Sequence, residues 1–263
     1  MSAEWMDYPI DCQKFADLAG VAFDVTKVTS LPIRYCKTDW MERNQAELQK
    51  GSPCILITSS SDASVDSEML SKLPKNVVCW YSTNVVVGDT RLISIPIGFV
   101  FHPGRTRVLL EQAKKGFQQP TNLMYMNFSR HCPSLKGKRE GLYEFFGGNA
   151  WVTTKGGNNF DDVSPEQFYF DLATHSFTLS PPGAGPDCHR HWEAMALGSI
   201  PIVLRSPATK ILDDLPCLQV DSWVEVTRER LRKEIVLLKQ RFDSPAMRKL
   251  SMKYWQEKIG VLI

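Results

Sequence analysis

The sequence predicts an α/β protein of two domains, each built on a parallel sheet. Short apolar strands alternate with polar or amphipathic helical stretches, the cadence of parallel βαβ layers. One segment, Ser180 to Arg205 (SPPGAGPDCHRHWEAMALGSIPIVLR), joins the end of a strand, a glycine-rich turn, a helix and a second strand with no residue to spare. A chain of 263 residues with 43% hydrophobic content suffices for two small packed domains.

The first half offers strands at Cys54 to Thr58, Val77 to Trp80 and Leu92 to Ile95, apolar runs of strand length. Between strands, or ahead of them, Trp40 to Gln49 and Asp66 to Leu73 are predicted helices. The polar run Gln112 to Pro120 marks a boundary, so residues 1–115 form the first domain and residues 116–244 the second. The second opens with strand Leu123 to Phe128, a helix from Lys138 to Phe146, strand Trp151 to Thr153, helix Pro165 to Thr174 and strand Ser176 to Leu179. The glycine-rich unit follows, and strands Ile200 to Leu204 and Cys217 to Val220 complete the domain. Thr227 to Arg241 is an amphipathic helix, and Pro245 to Gly260 is the last.

Within the glycine-rich unit, Pro181 to Pro186 cannot be helical, Asp187 stands where an N-cap or first-turn acid belongs, and Gly198 suits the C′ position. Glycines let backbone N–H groups approach an anion, and a helix N-terminus adds positive partial charge. A phosphate-bearing ligand fits there. Arg190, Glu193 and Leu197 share one helix face, while Trp192, Met195, Ala196 and Ser199 share another. An arginine in the first turn can meet phosphate oxygens with two donors, and a carboxylate one turn later can accept from both ribose hydroxyls. Without the glycine turn, the same pair would be a surface ion pair.

Through Ser180-Pro181-Pro182-Gly183, Gly185, Asp187, Arg190, Trp192-Glu193-Ala194, Leu197-Gly198, Ile200-Pro201-Ile202-Val203, Leu215-Pro216 and Val220-Asp221-Ser222-Trp223, the chain resembles the C-terminal signature of exostosin-like glycosyltransferases, glycosyltransferase family 47 and its relatives. Weaker likeness runs through Ile55-Leu56-Ile57-Thr58 with Ser61-Asp62, and through Asn84 with Ile95-Pro96-Ile97-Gly98. The resemblance implies a GT-B fold, two Rossmann-like domains facing across a cleft, with the nucleotide sugar on the C-terminal one and the acceptor largely on the N-terminal one. It implies that residues 245–263 pack back on the first domain. It also implies that Ser180, Pro182, Gly183, Gly185, Asp187, His189, Arg190 and Glu193 bind the donor. Where the family pattern often has His-Asn, this chain has Ser59-Ser60.

Ligands of open α/β sheets sit at the carboxyl ends of strands, so the loops there supply further candidates. Arg130 or Arg139 can meet the diphosphate; the alternative is a solvated basic loop that includes His131. Lys155-Gly156-Gly157-Asn158-Asn159 can wrap a base or sugar, or form a plain turn. His189 and His191 would point about 200° apart on a helix and cannot share an ion. Neither Asp161-Asp162 nor Asp213-Asp214 forms a D-x-D at a strand end, so no metal is expected and cationic side chains take its place. Sugar transfer needs a base for the acceptor hydroxyl. Asp62, in the serine-rich loop after strand Cys54 to Thr58, is the candidate, although Ser60-Ser61-Asp62 can equally form an Asx-type turn; Asp89, Asp39 and Asp7 are in reserve. The E-x7-E pattern of retaining relatives is missing, which favours inversion.

A net charge of +2 with scattered basic residues, apart from Lys136 to Arg139 and Arg228 to Lys239, leaves no nucleic-acid footprint. No run of about 18 apolar residues and no leader pattern appears, so a soluble protein without a membrane span is expected. Seven cysteines without a CxxC pair suggest free thiols in a reducing, cytoplasmic compartment, the host's if the source is viral, and resemble a short bacterial or large-virus form of the family. The expected activity is inverting, metal-independent transfer of a sugar from a UDP-sugar to an oligosaccharide or glycoprotein hydroxyl. Xylose is favoured as the sugar because no extra cationic pocket for a carboxylate stands out. A GDP-sugar-dependent fucosyltransferase-like enzyme and an inactive glycan- or nucleotide-binding module are the alternatives.

Overall fold

The structure, a computed structural model, describes residues 4–21, 31–130, 139, 141–157 and 162–260. Helices α1 (Glu4–Asp7) and α2 (Cys12–Val21) precede strand β1 (Ile33–Lys37), followed by α3 (Gln45–Leu48), β2 (Cys54–Ser59), α4 (Ser67–Ser71), β3 (Val77–Ser82) and β4 (Leu92–Ser94). These strands form a parallel sheet in the order β1-β2-β3-β4. Helix α5 (Pro103–Ala113) carries the chain to β5 (Asn122–Met126), α6 (Leu142–Phe146), β6 (Val152–Thr154), α7 (Pro165–Thr174), β7 (His175–Leu179), α8 (His189–Ala196), β8 (Ile200–Leu204) and β9 (Leu218–Val220). This second parallel sheet has the order β6-β5-β7-β8-β9. Helices α9 (Arg228–Gln240) and α10 (Met252–Ile259) complete the described chain. Two parallel sheets with helices make this the α/β architecture that the sequence predicts.

All six side chains of β2 and all five of β7 are buried, as parallel strands covered on both faces require. Polar members of these strands are satisfied internally: Trp80 Nε1–H donates to Thr58 Oγ1 at 2.9 Å, and Thr58 and Ser82 share a 2.7 Å hydrogen bond. Helix α7 starts where Ser164 accepts from the Gln167 amide and Pro165 fills the first turn.

Four elements escape the sequence pattern. Strand β1 is an edge strand whose Arg34 donates to the carbonyls of Glu47, Leu48 and Lys50, and the expected helix Trp40 to Gln49 is reduced to a 3-10 turn and the short α3. Helices α1, α2 and α5 are the others. The expected helix Lys138 to Phe146 begins only after Gly141, whose φ of +74° suits glycine; Lys138 lies outside the described residues. Pro245 to Gly260 breaks at Ser251, which is extended and bridges to Pro9, so a 3-10 turn precedes α10. Helix α10 lies against the first unit: Trp255 meets Phe15 at 6.1 Å, Met252 N–H donates to the Tyr8 carbonyl and Tyr81 Oη–H to the Lys258 carbonyl. No helix among the described residues is long and apolar enough to cross a membrane, and every described cysteine is free.

Candidate functional site

The strand order of the second sheet reverses direction between β5 and β7, and such a switch point opens a crevice at the carboxyl ends of the strands. A cavity of about 230 Å³ occupies it. The loop after β5 contributes Phe128 and Ser129, and the loop after β7 with α8 contributes Gly183 to Gly185 and Asp187 to Arg190, together with Glu193. Asp62 and Ile97 enter from the first unit and Arg105 from α5, so the walls come from both sheets.

Arg190 is the most exceptional group here. Its Nε and Nη1 are buried without a hydrogen-bond partner, and its guanidinium lies 5.7 Å from the Phe128 ring centre. Unmet buried donors on a cation are costly, and an anion at this position would meet them. Arg139 lies beside the same ring at 5.6 Å and donates to the carbonyls of Pro182 and Ser129, both at 2.9 Å. The third cation, Arg105, is buried and bonds the Tyr169 hydroxyl, which in turn donates to Glu193 Oε1 at 3.0 Å. Burial, then the Glu193 charge, raises the Tyr169 pKa and keeps that proton in place. Arg105 lies on α5, outside the strand-end loops where the sequence points for ligand contacts. Its signal was local: His102 caps the Arg105 amide and Pro103 opens the helix, aiming the first turn of α5 at the cleft.

Several expected donor contacts face elsewhere. Ser180 is fully buried, its Oγ 2.9 Å from His191 Nδ1, and desolvation lowers the His191 pKa to about 4, leaving a neutral ring. Pro182 offers its carbonyl to Arg139 rather than to the cavity. Arg130 pairs with Glu144 at 2.8 Å and lies 4.1 Å over Tyr143, away from the cavity. Lys155 pairs with the buried Asp171 at 2.8 Å. His131, Asn158, Asn159 and Asp161 lie outside the described residues.

Asp187 lines the cavity but does not cap the helix. Cys188 takes the N-cap position, while the Asp187 carboxylate accepts from the Ile97 amide at 2.9 Å and the Trp192 indole at 2.9 Å. Desolvation raises its pKa. Its own amide donates to Asn84 Oδ1 at 3.1 Å, and the His189 Nδ1–H donates to the Gly98 carbonyl at 2.8 Å. Together these bonds seam the two units along the cavity floor. Gly185 serves the same seam: a Cβ there would stand 2.5 Å from Asn84 Nδ2.

Of Asp7, Asp39, Asp62 and Asp89, Asp62 lines the cavity. Ser61, not Asp62, makes the turn bond, its Oγ accepting from the Ala63 amide at 3.1 Å, and the Asp62 carboxylate has no hydrogen-bond partner among the described residues. The loop is under backbone strain, with Ser60 at φ +55°, and Asn84, which donates to the Ser61 carbonyl at 3.3 Å, has the same φ. Among the described residues no group of three or more His, Cys, Asp or Glu side chains could hold a metal ion. No protein-family model and no curated protein matches this chain.

Proposed function

We propose that the protein is an inverting glycosyltransferase that moves a sugar from a UDP-sugar, xylose favoured, to a hydroxyl of an oligosaccharide or glycoprotein. The observation that supports it best is the half-buried Arg190, with two buried guanidinium donors unmet, flanked by Arg105 and Arg139 in a cavity that an unpartnered carboxylate of the other unit also lines. Three cations around one small cavity suit a diphosphate. In this reading Glu193 accepts a ribose hydroxyl with the oxygen not held by Tyr169. The acceptor oxygen attacks the anomeric carbon from the first unit, its proton passes to Asp62, and the bond from that carbon to the diphosphate oxygen breaks. UDP departs with the bonding pair, and Arg190 stabilises the added charge. The histidine beside Arg190, His189, holds its Nδ1 proton toward Gly98 and helps fix the cleft floor.

Release of UDP from a panel of UDP-sugars, against the matching GDP-sugars, tests the reading, with the anomeric configuration of the product read by NMR. Turnover of GDP-sugars alone would overturn the donor, retention would overturn the mechanism, and nucleotide binding without turnover would make this an inactive module.

Asp62→Asn is expected to lower kcat roughly 10²-fold while donor Kd stays within a few-fold, because the carboxylate approaches the acceptor and not the nucleotide. Unchanged kcat would remove Asp62 from the reaction. The side chain is exposed and makes no hydrogen bond to the described residues, so a fall in stability is not expected.

A further inference from the structure

A second cavity, of about 350 Å³, opens at the opposite ends of the second sheet, where β5, β6 and β7 begin. Strands β5 and β7 separate it from the cleft by roughly 15 Å, the length of five extended residues. Its wall includes Thr121, Asn122, Trp151 and Ser176 together with Arg228 and Arg232.

The two arginines belong to the basic stretch of α9, four residues apart and therefore on one helix face. Their situation differs from that of Arg230, which pairs with Glu225. No carboxylate lines the cavity, and neither Arg228 nor Arg232 has an ion-pair or hydrogen-bond partner among the described residues. Like charges one turn apart repel, and no described residue pairs with them to relieve it. Hydrogen-bonding groups stand around the pair: Asn122 Nδ2 donates to Thr121 Oγ1 at 3.1 Å, which leaves the Thr121 hydroxyl proton free to donate outward.

We infer that this cavity is an oxyanion site, taking the phosphate or sulfate ester of a small ligand independently of the cleft. A tetrahedral oxyanion matches two planar guanidinium forks, whose parallel donors can each engage two of its oxygens. Trp151 adds half-buried aromatic surface at the rim for the organic part of the ester.

The test is calorimetric titration with inorganic phosphate, using the Arg190→Ala protein so that the cleft does not compete. That protein is expected to bind one phosphate, and adding Arg228→Ser with Arg232→Ser is expected to weaken binding at least tenfold. Arg228→Lys with Arg232→Lys should recover part of the loss, since charge returns without the fork. Both arginines are exposed, so these variants are expected to fold, and their melting temperature without phosphate should match or exceed that of the parent as repulsion is removed. Equal phosphate affinity with and without the two arginines would overturn the proposal, as would no binding at all or equal binding of chloride at matched ionic strength. A sugar phosphate and a sugar sulfate form the final arms: whichever binds more tightly than its free ion names the ester, and failure of both to exceed the free ions would overturn the small-ligand assignment.

Discussion

Arg190→Ala is expected to lower kcat by about 10² to 10³ and to weaken UDP binding sharply, the scale on which loss of a preorganised charge stabiliser acts. The guanidinium now stands with two buried donors unmet, and a diphosphate would meet them. Arg190→Lys is expected to fail as well, because a point charge cannot reproduce two donors in a fixed fork. The stability outcome runs the other way. Removing a half-buried cation with unsatisfied donors should leave the melting temperature of the free protein unchanged or raised, so activity and stability move apart. Steady-state kinetics, nucleotide titration and a thermal melt on the same preparation check all three. Near-normal turnover in the alanine variant would remove Arg190 from the reaction, and a collapse of the melt would make it a packing residue.

Asp187→Ala should cost about 3 kcal/mol of stability, a melting temperature lower by roughly 6 to 12 °C for a chain of this size. The loss has named sources. The Ile97 amide and the Trp192 indole would both lose their acceptor, and a small void would replace the carboxylate. Because Ile97 belongs to the first unit and Trp192 to the second, donor affinity should fall too, as helix α8, which carries Arg190, loses its anchor. Differential scanning calorimetry reads the first effect and nucleotide titration the second. A melt within about a degree of wild type, as for a surface substitution, would show that the seam does not depend on this residue.

Central elements were legible in the sequence because their physics is local. Strands β2 and β8 are built around apolar runs buried on both faces, and α7 announces itself through Ser164 and Pro165. Edge strand β1 was hidden because Arg34 and Lys37 interrupt its apolar run, and its purpose emerges only when Arg34 meets three carbonyls of α3 and the turn after it. Within the site, Gly183, Arg190 and Glu193, neighbours in the chain, line one cavity with Asp62, which is distant in sequence. Asp187, Ser180 and Gly185 show what residue type cannot tell: an acid, a hydroxyl and a glycine before a helix suit a phosphate site, yet their partners here are Ile97, His191 and Asn84. Arg105 illustrates the converse: His102 and Pro103 mark the start of its helix in the sequence, but only the Tyr169 to Glu193 chain in space shows what the arginine meets.

The return of α10 to the first unit sets an order of assembly during synthesis. The second sheet is one uninterrupted stretch of chain, complete once β9 has been made, whereas the core around Phe15 and Tyr81 stays open until Trp255 and Lys258 arrive. On the ribosome, where domains usually close in the order they emerge, the later unit here closes first and the earlier one waits, its apolar surface exposed, for the last turns of helix to be translated.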